Sequence, residues 1–130
     1  MAKPVYKRVL LKISGEALAG DKHTGLDFEM IGSVCDVIKE CLEEGISPRC
    51  HLEDITRADI YGYVVPFCLE LMKLMKEYQI PIKIRACDTM GYGVNYPGAV
   101  IPRSVQGIIY ALHTHAGVPH ELLEWHGHND

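Results

Sequence analysis

The chain has 130 residues, of which 48% are hydrophobic and 23% charged, as is ordinary for one soluble domain with its own core. The formal net charge of −4, with 13 scattered Lys and Arg, argues against a nucleic-acid-binding surface. No apolar run approaches the roughly 20 residues that span a membrane, and Met1–Pro4 lack the apolar stretch of a signal peptide. We therefore expect a cytoplasmic protein with no membrane contact, whose five cysteines, without a Cys-x-x-Cys pair, are reduced.

The first part of the chain is predicted to form a strand followed by a helix. Tyr6–Ile13 is a strand candidate that ends at the turn-forming pair Ser14-Gly15. A polar loop then leads to Asp27, a suitable helix cap. Apolar residues recur at helical spacing over Ile31–Leu42, which predicts the first helix.

The rest of the chain is predicted to alternate strands with helices. The expected elements are a strand at Arg49–Leu52, a helix from about Tyr61 to Tyr78, a strand at Ile80–Arg85, a helix over Val105–His115 and a strand at Leu122–His126. Pro66 suits the first turn of its helix better than the middle. The order βαβαβαβ indicates an α/β fold in which helices cover parallel strands, either as an open sheet or as a barrel.

Polar side chains follow these strands, where active sites lie in both architectures. His126 and His128 stand at i and i+2, so a strand would place both imidazoles on one face, ready to bind a divalent transition metal. Alone, they could equally be two partly solvated groups. Glu53–Asp59 could likewise be a charge cluster at a helix N-terminus, and Asp88–Gly93 a turn that tolerates positive φ.

Three segments together resemble consecutive strand ends of one enzyme family. They are Arg49–Asp59, Arg85–Gly93 and Glu124–Asp130. In this order they are similar to the metal-dependent TIM-barrel enzymes that condense an acyl-CoA with a 2-oxo acid, such as isopropylmalate, homocitrate, citramalate and Re-type citrate synthases. The resemblance implies a transferase fragment with a partial (β/α) barrel-like fold of about four parallel strands.

The same resemblance implies how such a fragment would use a metal. His126 and His128 match the family's metal-binding histidines, and the ion, Mg, Mn or Zn, acts as a Lewis acid on the oxo acid. Acetyl-CoA would be the acyl donor: a base removes a proton from its methyl group, the enolate attacks the ketone, and thioester hydrolysis makes the step irreversible.

Four further residues receive roles by resemblance. Glu53 matches an acidic residue near the reacting groups, and Thr89 matches a threonine that contacts the oxo acid, so both are candidate catalytic residues. Arg57 and Asp88 would be supporting, substrate-binding partners.

Two departures limit the expected activity. The family's third metal ligand, an aspartate in an Asp-Arg-Glu-like sequence, has no counterpart in Lys12–Glu16, and a closed barrel needs eight strands. We expect the isolated chain to be inactive.

The first 46 residues resemble a different family. A Lys-x-Ser-Gly-Glu-Ala-Leu motif that begins at Lys12 is similar to the N-terminus of bacterial UMP kinase, of the amino-acid-kinase fold. The resemblance implies phosphate binding by Lys12 and by the backbone N–H groups of Ser14 and Gly15, although a plain strand and turn is the alternative. We thus predict a UMP-kinase-like strand–helix segment over 1–46 and a partial TIM-barrel domain over 47–130, joined near residues 42–46.

Three interpretations remain in view. The leading one is a fragment of an acyltransferase that condenses acetyl-CoA with a 2-oxo acid, the two small-molecule partners expected by family. The second is a nucleotide-binding, UMP-kinase-like fragment. The third is a half-barrel without catalysis that self-associates through exposed sheet edges. The oxo acid is not specified, because the residues that select it lie largely in strands that this sequence lacks.

Overall fold

The computed structural model describes residues 28–128, which alternate between helices and strands. The main elements are α1 (Phe28–Glu43), β1 (Arg49–Leu52), α2 (Val65–Tyr78), β2 (Lys83–Asp88), α3 (Val105–Tyr110) and β3 (Leu123–Gly127). This alternation confirms the α/β class. The predicted first strand, Tyr6–Ile13, and the motif residues Lys12, Ser14 and Gly15 lie outside the described residues.

The three strands form one parallel sheet in the order β1-β2-β3, so that β2 is central. Arg85 on β2 is paired with His51 on β1 and with Glu124 on β3. The described residues therefore supply three parallel strands of the predicted four. A small sheet of this kind is compatible with part of a barrel, and the barrel itself stays a prediction.

One face of the sheet packs against the helices. Ile84 and Ala86 on β2 have no exposed surface and share one hydrophobic core with Leu71 of α2 and Ile108 of α3. Fully burying one isoleucine or leucine side chain is worth about 1.5–3 kcal/mol. Ile84 and Ala86 therefore hold the helices against one face of the sheet. The residues that alternate with them on β2 face the opposite side.

A carboxylate on β3 connects the three strands on the opposite face. Glu124 accepts a hydrogen bond from Nε of Arg85 at 2.8 Å, and its other oxygen lies 3.0 Å from Nη2 of Arg49. Burial raises the pKa of Glu124, but the hydrogen bond from Arg85 and the charges of Arg49, Arg85 and Lys83 outweigh it and hold this pKa below its ordinary value. Strands far apart in sequence are thus joined by one ionised group.

Element boundaries differ from the expectations in two ways. β2 starts at Lys83 rather than Ile80, because Gln79 closes α2 in the left-handed region at φ 56° and residues 80–82 serve as the link. Each of the two later predicted helices contains a π-helical turn, at Ile60–Val64 and at Ala111–His115. Pro66 lies in the first turn of α2, as predicted.

Within residues 28–128, no helix has the length and apolar character needed to cross a membrane.

Candidate functional site

A pocket of about 260 Å³ lies over the polar face of the sheet, toward the carboxyl ends of the strands. Seven residues line it: His51, Glu53, Arg85, Cys87, Thr89, His126 and His128. All seven stand at alternate positions of the three strands and their extensions, and successive strand residues point to opposite faces. The parallel register therefore brings them to one surface.

Hydrogen bonds between two strand ends hold Glu53 in place. The Thr89 hydroxyl donates to Oε2 of Glu53 at 2.9 Å and accepts the backbone N–H of Asp54 at 2.8 Å. Asp54 has a left-handed backbone, with φ 57°, which aspartate adopts more readily than most residues. Arg57 donates from Nε to the Asp54 carboxylate at 2.7 Å and lies outside the pocket lining. The predicted pair Glu53 and Thr89 is thus brought together, with Arg57 one contact away.

His51 lies in the same pocket as Glu53. Its Nδ1 is 4.0 Å from Oε1 of Glu53, and its Nε2 is buried without a hydrogen-bond partner among the described residues. Burial lowers the pKa of His51, and the positive charge of Arg85 lowers it further. His51 is therefore a neutral imidazole at pH 7, the form that binds transition metals.

The two C-terminal histidines lie at the rim of the pocket. Their ring centroids are 5.4 Å apart with the planes at 89°, and both side chains are exposed. His126 is paired in register with Cys87 on β2. Two imidazoles of one strand are nitrogen donors of the kind that fit a divalent transition metal.

Asp88 points away from the pocket and organises the loop that follows β2. Its carboxylate accepts hydrogen bonds from the Thr56 hydroxyl at 2.9 Å and from the backbone N–H groups of Tyr92 and Gly93 at 2.9 and 2.7 Å. Asp88 is only 4% exposed. A Cβ on Gly93 would lie 2.7 Å from Oδ2 of Asp88, so this close approach requires glycine. The structure thus separates Asp88 from the residues that line the pocket.

Three pocket residues were missed by sequence reasoning: His51, Arg85 and Cys87. Each stands two positions before another lining residue, so the strand period of two contains the signal that would have found them. The predicted strand ended at Arg85, whereas β2 continues to Asp88, and this shorter strand concealed the alternation.

Known proteins that this chain is similar to include two citrate (Re)-synthases. The chain is 64% identical to the citrate (Re)-synthase of Clostridium kluyveri over 102 residues, which is 78% of this chain and 22% of the relative. It is 51% identical to that of Syntrophus aciditrophicus over 133 aligned positions, which is 98% of this chain and 21% of the relative. Matches of these lengths must cross the predicted boundary between residues 46 and 47.

Two other kinds of relative match shorter stretches. A 2-phosphinomethylmalate synthase of Streptomyces hygroscopicus is 35% identical over 97 residues, 73% of this chain and 22% of the relative. A uridylate kinase of Streptococcus thermophilus is 50% identical over 46 residues, 35% of this chain and 19% of the relative. No protein-family model and no solved structure matches. The chain spans about one fifth of the length of these relatives, and they confirm its resemblance both to the condensing synthases and to the uridylate kinases.

Proposed function

We propose that residues 47–130 are a fragment of a metal-dependent acyltransferase that condenses acetyl-CoA with a 2-oxo acid. The observation that carries this proposal is the convergence of Glu53, Thr89 and the His126–His128 pair at the carboxyl ends of parallel strands. The names of the relatives favour citrate as the product, and hence oxaloacetate as the oxo acid.

The two exposed imidazoles would hold the divalent ion. His126 and His128 favour Mn²⁺ or Zn²⁺ over Mg²⁺, because nitrogen ligands suit the transition metals. When bound, the ion would supply Lewis-acid polarisation of the ketone. Two protein ligands bind a metal weakly without a third ligand and its supporting contacts. The complete site would therefore need residues that lie in the remainder of a longer enzyme.

The chain's own residues would position the reacting groups. Glu53, whose carboxylate is fixed by Thr89, would lie next to the acetyl methyl group and take part in removing its proton. The new carbon–carbon bond joins that carbon to the ketone carbon, and water then cleaves the thioester to release CoA. Arg57 would act through Asp54, and Asp88 through the loop it organises, so both support the site rather than touch substrate.

A grafted enzyme tests this proposal. Residues 47–130 replace the matching region of the Clostridium kluyveri relative, and citrate formation from acetyl-CoA and oxaloacetate is measured. We expect the graft to be active. Glu53→Gln should lower its kcat at least about 100-fold, the scale of general acid–base catalysis. Glu121→Gln, an exposed position outside the pocket, should leave kcat unchanged. A folded graft without activity, or one indifferent to Glu53→Gln, would refute the proposal. The isolated chain should form no citrate.

A second candidate function belongs to the first 46 residues and is favoured by the uridylate kinase match. Lys12 with the backbone N–H groups of Ser14 and Gly15 would bind phosphate oxygens of a nucleotide. Thermal unfolding with UMP or ATP tests it. We expect nucleotide to stabilise the chain and Lys12→Ala to remove that effect, with His126→Ala as the matched control that keeps it. An equal response of the wild type and Lys12→Ala would contradict this function.

A further inference from the structure

The pocket contains an imidazole, a carboxylate and a thiol whose ligand atoms converge. One ligand atom each from His51, Glu53 and Cys87 lies within 4.8 Å of the other two. Ligands of a tetrahedral zinc ion stand about 3.3–3.8 Å apart, so small side-chain rotations would bring the three onto one ion. We propose that His51, Glu53 and Cys87 form a cation site of their own, selective for thiolate-binding ions such as Zn²⁺, Co²⁺ and Fe²⁺.

The environment of each group supports this assignment. His51 Nε2 is buried and lacks a hydrogen-bond partner among the described residues, an arrangement that costs free energy unless a ligand satisfies the nitrogen. Oε2 of Glu53 is held by Thr89, while Oε1 is the oxygen nearer His51. Cys87 is 1% exposed, and its Sγ contacts the Arg85 carbonyl at 3.7 Å, longer than a strong hydrogen bond.

The charges around the pocket permit a cation. Arg85 is the positively charged side chain of the lining, and its Nη2 lies 2.6 Å from the Glu124 carboxylate, which offsets its charge. In the described part of the chain, no other cysteine belongs to such a trio.

The site differs from the His126–His128 pair in its chemistry. A thiolate, an imidazole and a carboxylate together favour Zn²⁺, Co²⁺ or Fe²⁺, whereas Mg²⁺ prefers six oxygen ligands. Three protein ligands also leave a fourth position open, as in catalytic zinc sites. Because the ion would engage the Glu53 carboxylate, it would block the proposed condensation instead of assisting it. The inference therefore goes beyond the proposed function and holds whether or not the fragment supports condensation.

Cobalt spectroscopy of the full reduced chain tests the site. Binding forms a Co–S bond, breaks the Cys87 S–H bond and releases the proton to the buffer. We expect one equivalent of Co²⁺ to produce an ultraviolet sulfur-to-cobalt charge-transfer band even in excess Mg²⁺. Cys87→Ser should abolish the band, and Cys41→Ser, outside the pocket, should keep it. The double variant His126→Ala/His128→Ala should also keep it, which separates this site from the histidine pair.

Two results would overturn the inference: no band in the wild-type chain, or a band that survives Cys87→Ser. Circular dichroism checks the fold of each variant. If Cys87→Ser does not fold, His51→Gln replaces it, and loss of that ligand should weaken Co²⁺ binding at least about tenfold. Unchanged affinity in His51→Gln would then refute the site. Failure of the grafted enzyme to make citrate leaves the cobalt band unaffected, so the two proposals fail separately.

Discussion

At the scale of single residues, one hydroxyl joins two segments of the site. The Thr89 hydroxyl accepts a hydrogen bond from the backbone N–H of Asp54 and donates one to Glu53, so its oxygen is acceptor and donor at once. Valine has the same shape but can do neither. The position of Glu53 in the pocket therefore depends on the chemistry of residue 89 and not on its volume.

Thr89→Val tests this dependence. We expect a loss of about 1 kcal/mol in the free energy of unfolding, the usual net value of an intramolecular hydrogen bond, and Thr89→Ser should lose less. Urea unfolding can be followed by the fluorescence of the single tryptophan, Trp125. The exposed Thr114→Val is the matched control. Equal stability of Thr89→Val and Thr114→Val would show that the two hydrogen bonds contribute nothing measurable.

Thiol reactivity is a second property of single residues. Burial raises the pKa of Cys50 and Cys68 to about 12, so only about one molecule in ten thousand carries either thiolate at pH 8. We expect iodoacetamide to leave both unmodified in the native chain and to alkylate both in urea, as read by peptide mass spectrometry. Half-buried Cys41 provides the internal comparison. Alkylation of Cys50 and Cys68 at the same rate with and without urea would contradict the expectation.

Much of the candidate site was predictable from residue patterns, and the remainder depended on strand register. Glu53 and Thr89 directly follow strands, His126 lies near the end of β3 and His128 just after it, and the parallel sheet brings these strand ends together. Cys87 and Asp88 are neighbours in sequence that face opposite sides, one in the pocket and one in the loop contacts. A strand end misplaced by three residues is enough to hide that difference, and the sequence offers no sharper boundary there.

At the scale of elements, helical spacing located the helices well because an apolar stripe must face the sheet. It did not reveal the π-helical turns at Ile60–Val64 and Ala111–His115, since one wider turn barely disturbs the pattern. The sheet depends on more than apolar contacts. Glu124 joins side chains from β1 and β2, a long-range interaction that no local pattern in the sequence indicates.

Glu124→Gln tests this cross-strand contribution. The pKa of Glu124 is lowered in the folded chain, so its stabilising effect is present above the ordinary glutamate pKa of about 4.3 and is lost as pH falls through the folded pKa. We expect the variant to lose about 1–3 kcal/mol at pH 7 and to show a flatter stability profile in acid, by urea unfolding from pH 3 to pH 7. Exposed Glu121→Gln is the control. Parallel pH profiles of Glu124→Gln and the wild type would contradict the role.

At the scale of the whole molecule, the described sheet has two edges, β1 and β3. Parallel sheets are ordinarily covered on both faces, and natural proteins protect edge strands against pairing with other chains, whereas this sheet presents a polar pocket on its second face. We expect the chain to self-associate, with a mass by light scattering that increases with protein concentration. A constant monomer mass over a hundredfold range of concentration would argue against association through the sheet edges.

Metal binding should also be visible in the stability of the whole chain. A ligand at ten times its dissociation constant stabilises the folded state by about 1.4 kcal/mol, which raises Tm by about 5 °C for a domain of this size. We expect Mn²⁺ to cause such a shift, EDTA to reverse it, and His126→Ala to remove it, all by circular dichroism. Mn²⁺ is the suitable ion because Zn²⁺ would also bind at Cys87. Exposed His120→Ala, outside the pocket, should retain the shift. A Tm that Mn²⁺ leaves unchanged, or that Mn²⁺ shifts equally in His126→Ala, would mean that the two histidines do not form a working half-site in this chain, because an ion that binds only the folded state must raise its stability, by an amount that grows with the logarithm of the ratio of ion concentration to dissociation constant.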